Sequence, residues 1–182
     1  NLCDTGGGSG IGIQGTSFVE ILDNTISNNG MGTFEVRSSG GGIYMFGAGT
    51  LIIKRNIIKG NHVSDGQGGG TYLSNRSETL IVQNLIIGNQ AHMGAGLYWV
   101  AAISQGATLV NNTIADNVAA FLGSGIFANG FGVQTKLTNN IIVAKPTQSG
   151  LFCQAFGNQD PPIIRFNNIF SSGGRAYDGT CS

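Results

Sequence analysis

Asn111-Asn112-Thr113-Ile114 contains the repeat on which the fold turns. Its core, Asn-x-[Ile/Phe], occurs at Asn24-Thr25-Ile26, Asn56-Ile57-Ile58, Asn84-Leu85-Ile86, Asn112-Thr113-Ile114, Asn140-Ile141-Ile142 and Asn168-Ile169-Phe170, at intervals of 32, 28, 28, 28 and 28 residues. A fixed period far longer than a helical turn marks a solenoid in which each repeat closes one coil. Six anchors predict about six coils of ~28 residues.

A second marker, Gly-[Ile/Thr/Leu]-[Tyr/Phe], lies about half a coil away. It reads Gly42-Ile43-Tyr44, Gly70-Thr71-Tyr72, Gly96-Leu97-Tyr98, Gly125-Ile126-Phe127 and Gly150-Leu151-Phe152. The intervening segments are short, rich in Ile, Leu and Val, and bounded by Gly, Asn or Ser. They read as strands of about four to six residues. The 31 glycines would be costly inside helices. Equivalent strands of successive coils then stack in parallel ~4.8 Å apart, giving an all-β rod roughly 29 Å long.

The anchors predict a structural ladder of Asn24, Asn56, Asn84, Asn112, Asn140 and Asn168. Asn tolerates the left-handed conformation of a tight bend, and its amide both donates and accepts. A second ladder follows five residues on, at Asn29, Asn61, Asn89 and Asn117, and stops at Lys145. Ile26, Ile58, Ile86, Ile114, Ile142 and Phe170 form one predicted core column. Ile21, Ile53, Ile81, Leu109 and Leu137 form another, which Arg165 interrupts. Ile43, Thr71, Leu97, Ile126 and Leu151 form a third, with Met45, Leu73, Trp99, Ala128 and Cys153 on the same face by strand alternation.

The Gly40-Gly41-Gly42-Ile43-Tyr44 and Asn111-Asn112-Thr113-Ile114 units resemble those of right-handed parallel β-helix repeat proteins, the pectate-lyase-like superfamily. The likeness is closest to secreted or surface bacterial chains, and it covers nearly the whole sequence. The stretch from Asn167 to Cys181 looks like the closing coil of such domains. The resemblance implies the fold and leaves the activity open, since the superfamily holds lyases, hydrolases, epimerases, adhesins and stalks. Polysaccharide lyases of this fold combine Ca²⁺-binding carboxylates with a Lys or Arg base. Here Asp23, Glu78 and Asp116 share no column, and Lys54, Arg55 and Lys59 cluster on one coil without a facing carboxylate set.

Zero net charge and 10% charged residues argue against nucleic acid, which demands a basic footprint. No run is long enough for a membrane-spanning helix, so membrane insertion is not expected. One β-helix domain over residues 1–182 is expected, as part of a longer chain. Cys153 and Cys181 stand 28 residues, one coil, apart. In register they would be within disulfide reach, which implies an oxidising compartment; two buried thiols are the alternative. Cys3 is left over. Asn75-Arg76-Ser77 and Asn111-Asn112-Thr113 match the glycosylation pattern by chance. Gly10 to Gly15 matches G-x-G-x-x-G, but the strand-like Phe18-Val19-Glu20-Ile21-Leu22 follows where a dinucleotide site needs a helix.

Three places could carry function. Tyr44, Tyr72, Tyr98, Phe127 and Phe152 form an aromatic column that alternation turns outward as a ligand-binding strip for sugar rings. The alternatives are loops folded over it, a second chain packed on it, or the opposite parity with the rings inside. His62, Asp65, His92 and Glu35, with Arg37, fall on one edge of successive coils, where they could serve as general acid and base or hold a metal. Asp23 and Arg55, in the column before the anchors, should form an ion pair between adjacent coils.

These readings predict a non-enzymatic secreted or cell-surface module: a stalk, an adhesin or a carbohydrate-contacting scaffold. Its partner would be a polysaccharide or cell-surface glycan. It would need no cofactor. A polysaccharide lyase or hydrolase is the alternative, and only a lyase would call for Ca²⁺. A fibre subunit that self-associates through open coil ends or the aromatic column is the third reading.

Overall fold

A computed structural model describes residues 2–3, 8–16, 18–31, 39–75, 78–100, 106–130, 135–154 and 162–181. Among them all regular structure is strand, arranged as a parallel β-solenoid. One coil runs through Thr71–Asn75, Thr79–Val82, Leu85–Ile87 and Gln90–Met93. Each of these strands pairs in parallel with its equivalents in the coils before and after. Stacking them gives four sheets: a ring sheet of 7 strands, second and third sheets of 6 each, and a fourth of 5. The path makes about 5 turns rather than six, because six anchors delimit five intervals.

The corner between the second and third sheets explains the anchor. Asn84 is buried there. Its Nδ2 donates to the carbonyls of Ile53 (2.9 Å) and Val82 (3.1 Å) and to Asn112 Oδ1 (3.0 Å). Its Oδ1 accepts from the Asn56 backbone N–H (2.9 Å) and from Asn56 Nδ2 (3.0 Å). One side chain thus satisfies backbone groups that bending would otherwise bury without partners. The second ladder repeats the pattern at the next corner through Asn29, Asn61, Asn89 and Asn117.

Two expectations about the anchor are corrected. The left-handed residue is the one before each Asn: Asp23, Arg55, Gln83, Asn111, Asn139 and Phe166 have φ of 54–58°. The ladder Asn is therefore free to point its amide along the rod. The final rung is Asn167 and not Asn168. Asn140 donates to Asn167 Oδ1 from its backbone N–H (2.8 Å) and from Nδ2 (2.9 Å), at a spacing of 27 residues. Asn168 is an exposed strand residue paired with Ile141. In the strands Ile163–Arg165 and Asn168–Phe170 the spacing of 27 turns each side chain to the face opposite the one a 28-residue period gives, as a one-residue slip must. Ile169 stacks under Ile142 in place of Phe170, and Ile164 extends the Leu137 column that Arg165 was expected to break.

The core columns otherwise fill as expected, from Ile21 to Leu151. Trp99 shares its column with the small Ala128 and donates Nε1–H to the Gly130 carbonyl at 3.1 Å. The glycine marker faces the second ladder: a Cβ on Gly42 would sit 2.5 Å from the Gly70 carbonyl oxygen and 2.9 Å from Asn61 Nδ2. Both sequence markers therefore belong to one close approach across the coil. Cys153 and Cys181 form a disulfide with a Cα–Cα separation of 5.4 Å. Cys153 pairs in the sheet with Gly179, so the bridge joins positions offset by two residues from the strand register.

Two measurements test this account. Asn167→Ala should lower the unfolding free energy by about 1–3 kcal/mol, since it leaves a backbone donor of Asn140 unpaired. Asn168→Ala should stay within about 0.5 kcal/mol in the same denaturant titration. Thr71 lies in the core at 1% exposure between Ile43 and Leu97, and its Oγ1 has no hydrogen-bond partner among the described residues. The near-isosteric Thr71→Val removes that buried hydroxyl and should raise the unfolding free energy by about 1–2 kcal/mol, read as a higher denaturation midpoint.

Candidate functional site

The ring sheet turns Ile43, Met45 and their equivalents inward, so alternation places the aromatic column on its outer face. Strand register then stacks the rings. Centroids are 5.3 Å apart for Tyr44–Tyr72, 5.4 Å for Tyr72–Tyr98, and 4.9 Å for both Tyr98–Phe127 and Phe127–Phe152. Interplanar angles of 7–12° for the first three pairs make this a pile of nearly parallel rings. Offset-stacked pairs of this kind contribute about 0.5–1.5 kcal/mol each beyond their burial.

The stack does not form the continuous exposed strip expected. Tyr98 and Phe127 are 4% and 2% exposed, while Tyr44, Tyr72 and Phe152 are half-buried. Within the stack each ring face lies against the next ring. A turn glycine closes one side: a Cβ on Gly94, which has φ of +59°, would lie 2.7 Å from Tyr98 Cβ and 3.0 Å from Phe127 Cβ. Burial raises the phenol pKa of Tyr44, Tyr72 and Tyr98. Tyr72 is pushed up to about 12, by burial first and then by its two tyrosine neighbours. Asn129 Nδ2 donates to Tyr98 Oη at 3.4 Å.

At the start of the stack the face opens. Gly15, Thr16, Phe46, Gly47, Ala48 and Ser74 line a groove of ≈ 370 Å³, and none of them is charged. Phe46, two residues beyond Tyr44 on the same face, is 56% exposed. Sequence reasoning missed this groove. Its signal was Gly15 and Gly47 at the 32-residue coil spacing, which removes two side chains from adjacent coils at one place.

The other candidates do not converge. His62 is exposed, and its Nε2 lies 3.0 Å from Ser64 Oγ. His92 stacks on Phe121 with centroids 5.7 Å apart. In the sheet His62 pairs with Gln90 and not with His92. Asp65 is exposed, while Glu35 and Arg37, with the side chain of Cys3, lie outside the described residues. Among the described residues no three His, Cys, Asp or Glu groups gather closely enough to hold a metal. The Arg55 guanidinium bonds both Asp23 oxygens at 2.6 Å. That contact lowers the Asp23 pKa, and both side chains remain well exposed.

The third sheet has an apolar outer face as well, carried by Ile57, Leu85, Ile141 and Phe170. Consecutive apolar residues such as Ile57-Ile58 and Ile141-Ile142-Val143 announced it, since a strand with one wet face should alternate.

Over residues 6–169 the chain matches the family described as the right-handed β-helix region, and it belongs to that family. The solenoid is accordingly a right-handed parallel β-helix. Comparison with curated proteins and with solved structures gave no match.

The buried phenols predict an alkaline transition. A folded-state pKa raised above the unfolded value of 10.0 means that stability is intact below pH ~10 and falls as pH rises toward ~12, where Tyr72 ionises. Phenolate absorbance should rise together with loss of the strand signal in circular dichroism. Tyr72→Phe should shift that loss to higher pH. Coincident transitions in the two proteins would remove Tyr72 as the cause.

Proposed function

We propose that this β-helix is a non-enzymatic scaffold, secreted or held at a cell surface, that contacts a polysaccharide through the outer face of its ring sheet. The observation that carries the reading is the groove beside Phe46, uncharged among its described residues, where an exposed aromatic wall meets small and hydroxyl-bearing residues. Sites for neutral ligands combine apolar walls with a few placed polar groups, within volumes of ~300–1,000 Å³. A sugar ring offers an apolar face to Phe46 and hydroxyls to Thr16, Ser74 and the glycine backbone. The Cys153–Cys181 bridge supports an oxidising compartment. The histidines favour no catalytic reading, because His62 is engaged by Ser64 and His92 by Phe121.

Affinity electrophoresis through gels containing soluble polysaccharides tests this. Retardation by at least one glycan is expected, without release of reducing or unsaturated ends. Phe46→Ala should weaken it about tenfold or more, equivalent to ~1.4 kcal/mol, with little change in thermal midpoint because Phe46 is exposed. Depolymerisation would overturn the non-enzymatic role. Absence of retardation by every glycan would overturn the contact itself.

A further inference from the structure

The ring stack ends one position early. In the first coil the strand register pairs Gly12 with Tyr44, Ile11 with Ile43 and Ile13 with Met45. The strand Ile11–Gly15 continues beneath Tyr44 with glycine at the ring position. The glycine turn that flanks the rings continues as well. Gly8 donates its N–H to Ser39 O (3.1 Å), and a Cβ there would lie 2.6 Å from Gly12 Cα, just as one on Gly40 would lie 2.6 Å from Tyr44 Cβ. Side wall and base strand are therefore in place for one more ring.

Tyr44 is the ring left open by this. It stacks on Tyr72 on one face, and among the described residues no ring lies on the other. Gly12 is exposed. The open position adjoins the groove: Gln14 pairs with Phe46 and Gly15 with Gly47 in the same two strands, and Gly15, Phe46 and Gly47 line the groove. The Tyr44–Tyr72 centroid distance of 5.3 Å is the spacing at which a flat ring over Gly12 would continue the column.

We propose that the position over Gly12 is a binding subsite for one neutral pyranose unit of a glycan, whose apolar face continues the stack on Tyr44 while the neighbouring unit runs into the Phe46 groove. This rests on the glycan-contacting reading above and adds to it the location, the stacking partner and the charge class. Three features argue for it. A six-membered sugar ring has a flat C–H face that covers an aromatic face and excludes water from it. Its edge hydroxyls need partners, and Gln14, Thr16 and Ser74 stand along the adjoining strands and groove. Among the described residues the groove lining carries no charge to pair with a uronate, whose desolvation there would go uncompensated by them.

Gly12 is not among the residues with positive φ, so its backbone conformation does not itself demand glycine. Gly12→Tyr should place a sixth ring under Tyr44 and occupy the subsite from within. The test is nuclear magnetic resonance of protein labelled at tyrosine rings, titrated with gluco-, manno-, xylo- and galacto-hexasaccharides and with a galacturonic acid hexamer. Tyr44→Phe assigns the Tyr44 signal. Wild type should show saturable shifts of the Tyr44 ring with at least one neutral hexasaccharide. Gly12→Tyr should bind that hexasaccharide at least tenfold more weakly while melting at a higher temperature than wild type. Should Gly12→Tyr not fold, Gly12→Val serves, since it fills the same place without a ring and should weaken binding by at least fivefold.

Wild-type affinity in the Gly12 variants, with binding still lost in Phe46→Ala, would overturn this subsite and leave the glycan reading standing. No binding to any hexasaccharide by wild type would overturn both. Binding of the galacturonic acid hexamer alone would overturn the neutral-sugar assignment.

Discussion

The rest of the structure depends on the hydrogen bonds of the coil corners. A strand that turns sharply inside a narrow rod exposes a backbone N–H and carbonyls at the bend, where water is excluded. An unpaired buried donor or acceptor costs about 1–3 kcal/mol, and every coil has such a corner. The stacked asparagines answer this within the solenoid itself. Asn56, Asn84 and Asn112 each take a carbonyl from the coil before and give an oxygen to that coil's Asn. Two distinct residues divide the work: an exposed left-handed residue makes the bend, and a buried Asn satisfies it. That division explains why the left-handed column tolerates Asp, Arg, Gln, Asn and even Phe166, whereas the buried column is Asn throughout.

Register then follows from the corners. A ladder side chain bonds both backbone and side chain of its neighbour, so a slip by one residue would break several bonds and turn the apolar columns to solvent. With register fixed, like residues lie over like. This arrangement puts Ile on Ile in the core and Tyr on Tyr outside it. The aromatic stack is thus a consequence of the same constraint, and it adds an outer seam parallel to the inner ladders. Where a coil departs from its period, the seam and ladder show it. The 32-residue first interval leaves the pairing of Asn24 with Asn56 undisturbed.

Much of this was legible in the sequence, because a solenoid repeats its contacts at the period of its chain. The strands, the parallel stacking, both ladders and the inward columns all follow from spacing and alternation. So did the Asp23–Arg55 pair, which needed only two opposite charges one coil apart at equivalent positions. The last coil was misread because Asn167 and Asn168 stand side by side and an unbroken period of 28 favours the second. Hydrophobic parity would have decided it: with Asn167 as the rung, Ile164 and Ile169 enter the core, whereas with Asn168 Arg165 must. Ring burial was less accessible. Alternation gives the face on which Tyr98 lies, but not how much its neighbours and the glycine turn leave uncovered.

The same logic separates the parts of this surface that are internal structure from those open to a partner. A ring with rings on both faces is satisfied, and Tyr72, Tyr98 and Phe127 are in that state. A repeat structure opens a binding place where the repeat fails, since a missing member leaves its neighbours' contacts unmade. On the ring sheet the failures are glycines. Gly12 stands where a ring belongs, and Gly15 and Gly47, paired in register, both line the groove. They fall on the same two paired strands, so the unmatched face of Tyr44 stands next to the groove along Phe46. Gly12 belongs to neither asparagine ladder, so the corner hydrogen bonds that hold the fold do not depend on it.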